Sequence, residues 1–282
     1  MKMTTTAAAI AIRPGEHACF RFQRQEERER IADAFMCVGL RLGHRVVYLC
    51  ESRDVDATLL RLTAAEPDVA SALRTGALEV RDANTIYLDG RSFDVDQMIA
   101  ALRAEHRRAL ADGFAGLSVT GDVVSALGAA EAEALVEYER RLDEEFGDAT
   151  QVLLCQYDQH RFETGTLVEM TEAHHVEVSP PLATLDPTGA LAAARVHPPE
   201  TLRLAGDLDF ENVAGLLDYL DANVHGPLRV DLADVAFADV AGMRALRGSR
   251  HQQLMIADAS EAVRRLVGLL GWDTDPGVLV AA

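Results

Sequence analysis

The sequence predicts an α/β protein of two domains built on parallel β-sheets. Three observations carry that prediction. Short apolar strands alternate with amphipathic helical stretches through the first two thirds, the pattern of βαβ units with right-handed crossovers. Ser179-Pro180-Pro181 and Leu185-Asp186-Pro187-Thr188-Gly189 then interrupt regular structure. The length of 282 residues, 49% of them hydrophobic, suits two cores better than one.

Taken in order, residues 1–13 read as a disordered leader, too weakly charged and too short in its apolar run for a signal peptide. A domain over residues 14–182 follows. Its strands are expected at His17–Phe22, Arg45–Cys50, Leu78–Asp82, Gly116–Gly121 and Gln151–Tyr157. Helices are expected at Glu26–Leu42, Val55–Leu62, Asp94–Ala111 and Glu131–Phe146. Apolar runs such as Val46-Val47-Tyr48-Leu49 suit a sheet covered on both faces. Residues 183–190 form the linker, too brief for a long tether, so the domains are expected to touch. In the second domain, 191–282, Leu191–Val196 and Thr201–Leu204 form a hairpin. A helix runs to about Asn223. Strand 228–232, helix 241–249, strand Leu254–Ala257, helix Ala262–Leu270 and strand Val278–Val280 complete a small β/α sandwich.

Charge excludes several function classes. A net charge of −18 argues against nucleic-acid partners and against anionic membrane surfaces, both of which need clustered Lys and Arg. No apolar run reaches the ~20 residues a membrane helix needs, so a cytoplasmic location is expected. The only lysine is Lys2, which rules out a Walker A loop and its phosphate-reaching ammonium. Ser118 and Ser125 lack a Gly-x-Ser-x-Gly setting, and His-Glu-x-x-His does not occur, so no catalytic machinery is assembled. No cofactor is implied.

Cys19, Cys37, Cys50 and Cys155 never form a C-x-x-C pair, which disfavours a disulfide framework or zinc knuckle. His17 and Cys19 share one face of their strand, and Cys155 would reach them if the two strands were neighbours. That is a soft-metal site on paper. Buried cysteines are more commonly small hydrophobes, and no metal ligand is assigned. His174-His175 offers a ligand pair on paper, but near a domain edge it reads as a solvated strand end. Glu26-Glu27-Arg28-Glu29-Arg30 reads as an exposed helix start, and Glu137 with Arg140 and Arg141 as pairs on an exposed helix face.

The segment Arg229-Val-Asp-Leu-Ala-Asp-Val-Ala-Phe-Ala-Asp-Val-Ala-Gly-Met-Arg-Ala-Leu246 runs from a strand through Phe237-Ala238-Asp239 into a helix. With Leu204-Ala205-Gly206-Asp207-Leu208-Asp209 and Ser260–Trp272, it resembles STAS domains of the anti-sigma-factor-antagonist type over about residues 190–282. That family's usual motif is Phe-x-Asp-Ser-Ser/Thr-Gly, whose first serine is phosphorylated to disrupt binding to the kinase itself. Val240 and Ala241 stand at the two hydroxyl positions here. The resemblance therefore implies a partner face of Asp209, Asp239, Val240, Ala241, Gly242 and Met243 that lacks the phosphorylation switch. Its partner would be an anti-sigma factor or serine kinase.

In the first domain the informative segments are Gly15–Phe22, Val47–Glu51, Thr85–Gly90, Leu117–Asp122, Leu135–Glu139 and Leu154–Phe162. In that order they resemble the MEDS sensory domain over about residues 13–182, which implies a RecA-like core with the nucleotide machinery worn away. The turn after the first strand, Phe22-Gln23-Arg24-Gln25-Glu26-Glu27, has neither glycine nor lysine to wrap phosphate. Ligands of open parallel sheets bind beyond the strand C-termini. The expected ligand residues are thus Arg24, Glu51, Asp82, Thr120, Gly121, Asp122, Tyr157 and Asp158, with His17 and Cys19 on the first strand and Tyr87 and Tyr138 as walls.

These features predict a non-catalytic cytoplasmic signalling protein, a sensor of a small ligand or of another protein joined to a STAS output. The alternative is a nucleotide- or small-molecule-binding RecA-like protein or enzyme whose STAS domain serves self-association. A homodimer fits either.

Overall fold

The computed structural model describes residues 10–51, 54–65, 67–83, 93–122, 129–145, 147–179, 191–248 and 253–281. It comprises two compact units, Ile12–Glu177 and Val178–Ala282 with the segment ending at Ala11. The expected linker, 183–190, lies outside the described residues. The expectation of a disordered leader through residue 13 is corrected at its end: Ile10, Ala11 and Ile12 are buried.

The first unit contains β1 (His17–Phe22), β2 (His44–Cys50), β3 (Leu78–Asp82), β4 (Gly116–Asp122), β5 (Gln151–Asp158) and β6 (Val176–Val178). Its helices are α1 (Gln25–Arg41), α2 (Val55–Ala65), α3 (Pro67–Thr75), α4 (Val95–Ala111), α5 (Ala129–Glu145) and α6 (Thr164–Glu172). The strands lie in the order β6-β1-β5-β4-β2-β3, and every pairing among them is parallel. This is the parallel sheet that the alternation of strands and helices predicts. β2 is buried at all seven positions, because helices cover both faces of the sheet. Ala32, Met36, Leu62 and Val69 of α1–α3 pack on Val46, Tyr48 and Cys50. On the other face, residues of α4, α5 and α6 pack on Cys19, Leu153, Cys155 and Tyr157.

The turn from β1 into α1 shows why phosphate has no place there. Glu27 sits at the helix start and accepts the backbone N–H groups of Gln23 and Arg24, at 3.3 and 3.4 Å. The chain's own carboxylate thus takes the dipole-favoured position that a phosphate needs. The helix start is also less exposed than its charges suggest. Glu27 and Arg28 are both buried, and Arg28 reaches Asp122 at 3.1 Å.

The second unit contains β7 (Leu191–Val196), β8 (Thr201–Leu208), β9 (Leu228–Ala238), β10 (Leu254–Ala259) and β11 (Val278–Val280). Its helices are α7 (Val213–Asn223), α8 (Val240–Arg247) and α9 (Glu261–Leu269). The sheet order is β11-β10-β9-β8-β7, antiparallel only at the β7–β8 hairpin. Leu216, Leu220, Met243, Leu246, Val263 and Val267 of the three helices share one core with Leu204, Val230, Leu232 and Ile256. The result is the expected β/α sandwich, with the helices on one face. β9 is longer than its apolar alternation suggested. It continues through Phe237 because β8 supplies partners as far as Leu208↔Ala238.

Candidate functional site

Of the residues expected at the strand C-termini, Glu51, Asp122 and Asp158 have their charges paired within the protein. Glu51 is buried and pairs with Arg161 at 2.6 Å, and Arg161 also reaches Asp158 at 3.4 Å. Asp122 is held by Arg28. Arg24 turns outward to Glu27 at 2.7 Å. The Thr120 hydroxyl is buried, donating to the Leu154 carbonyl at 2.9 Å and accepting from Gln156 Nε2 at 2.6 Å. Buried charges are stable only when paired, and here arginines from α1 and the loop after β5 do the pairing. Tyr87 lies outside the described residues.

The sheet face covered by α4 and α5 holds a cavity of about 280 Å³ instead. Leu49, Met98, Leu102, Val119, Tyr138 and Cys155 supply much of its lining, with Arg81, Glu105 and Arg108 among its charged groups. Glu105 is itself bonded to Arg81 at 3.0 Å and to Arg108 at 3.4 Å. Gly121 is part of the wall. A Cβ there would come within 2.6 Å of Leu49 Cβ and 2.8 Å of its carbonyl oxygen, so only glycine fits this approach of β4 to β2. Of the expected ligand residues, Thr120, Gly121 and Tyr138 therefore line this cavity.

Cys155 also belongs to a compact buried group. Parallel pairing of β1 with β5 sets Cys19 opposite Cys155 and His17 opposite Leu153, which brings the His17 ring beside the Cys155 side chain on one face. His17 Nε2 lies 3.3 Å from Cys155 Sγ and 3.2 Å from Glu139 Oε2. Cys155 Sγ is 3.3 Å from the same oxygen, and His174 Nε2 is 3.5 Å from it. Tyr157 donates its hydroxyl to Glu139 Oε1 at 2.5 Å, and the two imidazole rings lie 4.1 Å apart. His17, Glu139, Cys155 and His174 are all buried, and their ligand atoms lie within 4.8 Å of one another.

Helix α5 delivers Glu139 from its inward stripe, between Leu135 and Leu142. Desolvation works against ionising it, yet the hydrogen bond from His17 and the His174 imidazole beside it hold its carboxyl far below the ordinary carboxylate range. Burial, reinforced by the Glu139 charge, pushes the Cys155 thiol and the Tyr157 phenol well above their ordinary values. Reading His174-His175 as a solvated strand end is corrected for His174. It is buried and bonds the Met170 carbonyl at the end of α6 through Nδ1 at 2.6 Å. Cys19 is buried in the apolar core and is not one of the four grouped residues. On the outer face of α5, Arg141 pairs with Asp96 and Glu145 rather than with Glu137.

The second unit's site is built at the start of α8. Asp239 caps the helix, with Oδ1 accepting the Gly242 N–H at 2.7 Å. Its Oδ2 accepts the Phe210 N–H at 3.1 Å, tying the β8–α7 turn to the helix start. Within that turn Asp209 Oδ1 accepts the Glu211 N–H at 2.9 Å. Val240 is 40% exposed, and near it Phe210 and Phe237 are 71% and 51% exposed, forming an apolar surface around the cap. Ala241 is exposed, but Gly242 and Met243 are buried and support this face from beneath.

Residues 16–175 match the family described as the methanogen/methylotroph, DcmR sensory (MEDS) domain. The chain belongs to the MEDS family. Residues 192–281 match the family described as the Mlab, STAS domain. A MEDS sensory domain thus shares this chain with a STAS domain, the composition of a signalling-type protein. No curated protein matches the chain. Among solved structures, the flagellar accessory protein FlaH from Methanocaldococcus jannaschii is similar at 10% identity, covering 66% of this chain and 79% of its own, with a TM-score of 0.35. Among the described residues, no helix is long and apolar enough to cross a membrane.

Proposed function

We propose that this MEDS protein is a non-catalytic sensor whose STAS unit docks an anti-sigma factor or serine kinase through the surface at the start of α8. The observation that carries the reading is the capped, partly exposed helix start at Asp239-Val240, flanked by Phe210 and Phe237. A partner meets apolar side chains there, and central apolar contacts carry most interface energy. Phosphate at a helix start is favoured by the free N–H groups and the dipole, but Val240 has no hydroxyl to accept it. Docking at this face is therefore free of the serine switch, and control falls to the sensor unit.

The sensor's ligand is read as a small, largely apolar molecule held in the cavity beside Tyr138 and Cys155. Such a molecule changes partner binding only by its differential affinity for the two signalling states, and the partner acts back on ligand affinity by the same factor. Calorimetric titration of the chain with the anti-sigma factors and serine kinases of its own genome tests the docking. One of them should bind the wild type and lose at least about tenfold in affinity, about 1.4 kcal/mol, on Val240→Asp. Equal affinity of the two proteins would place docking elsewhere.

A further inference from the structure

We infer that His17, Glu139, Cys155 and His174 form a binding site for one divalent transition metal of the zinc type.

The proton positions argue first. The Met170 carbonyl can only accept, so the His174 Nδ1 facing it at 2.6 Å carries the proton. In the neutral ring Nε2 is then a bare lone pair. It lies 3.5 Å from Glu139 Oε2, a second acceptor. Two acceptors face each other in a buried setting, and a cation between them resolves the conflict. A carbonyl on the far nitrogen is also the usual way a ligating histidine is oriented and its tautomer fixed.

Geometry argues second. A tetrahedral zinc with bonds of about 2.1 Å to nitrogen and oxygen and about 2.3 Å to sulfur spaces its ligand atoms about 3.4–3.6 Å apart. The edges here are 3.2, 3.3, 3.3 and 3.5 Å, and all four atoms fall within 4.8 Å of one another. Small side-chain adjustments suffice for an ion at the centre.

Charge argues third. A thiolate and a carboxylate together neutralise a divalent ion, so the loaded site places no net charge in the interior, where an uncompensated one is costly. Two imidazoles, one thiolate and one carboxylate favour zinc and its neighbours over the oxygen-seeking calcium and magnesium. The Tyr157 hydroxyl on Glu139 Oε1 completes an outer shell. Metal binding releases the Cys155 proton, so affinity rises with pH.

The inference does not depend on the docking role of the STAS unit. It is tested on the full chain, stripped with chelator and titrated with cobalt(II) and then zinc. One equivalent of cobalt per chain should give the d–d bands of a four-coordinate ion and a thiolate-to-cobalt charge-transfer band, both bleached by zinc. Zinc should also raise the melting temperature, since it binds the folded chain preferentially. Cys155→Ser should abolish the charge-transfer band, whereas Cys19→Ser and His175→Ala should keep it. Tyr157→Phe should weaken zinc binding on the order of tenfold, as loss of outer-shell support does. Wild-type protein that shows neither cobalt band nor zinc-dependent melting shift would overturn the proposal. So would a charge-transfer band that survives Cys155→Ser.

Discussion

Glu139 on α5 and Tyr157 on β5 share a hydrogen bond of 2.5 Å with both residues fully buried. The Tyr157 hydroxyl, the Cys155 thiol and His17 face this carboxylate, which is what permits a negative charge inside the sensor unit. Removing the hydroxyl with Tyr157→Phe leaves one oxygen of a buried charge poorly satisfied. The loss should be about 1.5–3 kcal/mol, the range for hydrogen bonds to charged groups, measured by urea unfolding of metal-stripped protein.

Gly242 packs against the end of β8. A Cβ at that position would lie 2.4 Å from the Leu208 carbonyl oxygen and 2.7 Å from its carbon, both backbone atoms of the adjacent strand. Gly242→Ala should therefore destabilise the STAS unit by about 1–3 kcal/mol, the usual cost of overpacking, despite alanine's better helix propensity. Thermal unfolding followed by circular dichroism reads the change.

Asp239 is the N-cap of α8. Asp239→Ala should cost about 1 kcal/mol, and Asp239→Asn much less, because asparagine keeps the capping oxygen. Chemical unfolding of the two variants side by side separates the cap from the charge.

Thiol chemistry follows burial. Cys19, Cys50 and Cys155 are buried and Cys37 is half-exposed. Desolvation raises the Cys50 thiol to about 11 and pushes the Cys19 and Cys155 thiols well above their ordinary value. Only thiolates react quickly with disulfide reagents. Native protein at pH 8 should label first at Cys37, and the three others only on unfolding. Fast labelling of Cys50 in the folded chain would contradict its placement on β2.

The same burial sets an alkaline limit. Tyr48 is raised from 10.0 to about 12 by desolvation, and Cys50 from 9.0 to about 11. Both folded values lie above the unfolded ones, so above pH 9 the unfolded chain binds fewer protons and stability falls as pH rises. The melting temperature should drop progressively between pH 9 and 12. Tyr48→Phe should remove part of that drop. It should be neutral or stabilising at pH 7, because the Tyr48 hydroxyl is buried without a hydrogen-bond partner among the described residues.

Much of the fold was legible because strands and helices alternate with clear apolar periods. The boundaries of β1, β3, β7 and β11 coincide with the apolar runs, the short β6 was not expected, and the others fall within a few residues, except at β8 and β9. β9 outran its alternation because pairing with β8, not its own pattern, carries it to Ala238. The site was legible only in part. His17 and Cys155 could be placed on a common face once β1 and β5 were neighbours, but strand order is a long-range property that local periodicity does not encode. Glu139 was hidden in an acidic helix. The signal was its position in the inward stripe between Leu135 and Leu142, where a carboxylate needs a partner. His174 was masked by His175 beside it, which is exposed. The strand-end cluster attracted attention because loop ends are polar, but Arg28 and Arg161 neutralise it.

The most direct test of the account is a paired affinity capture from the native host with tagged wild type and tagged Val240→Asp, quantified by mass spectrometry. The account predicts that an anti-sigma factor or serine kinase is enriched on the wild type and lost on the variant, while both baits fold equally well by circular dichroism. Recovery of that partner by both baits, or by neither, would contradict the surface around Val240 as the output of this protein.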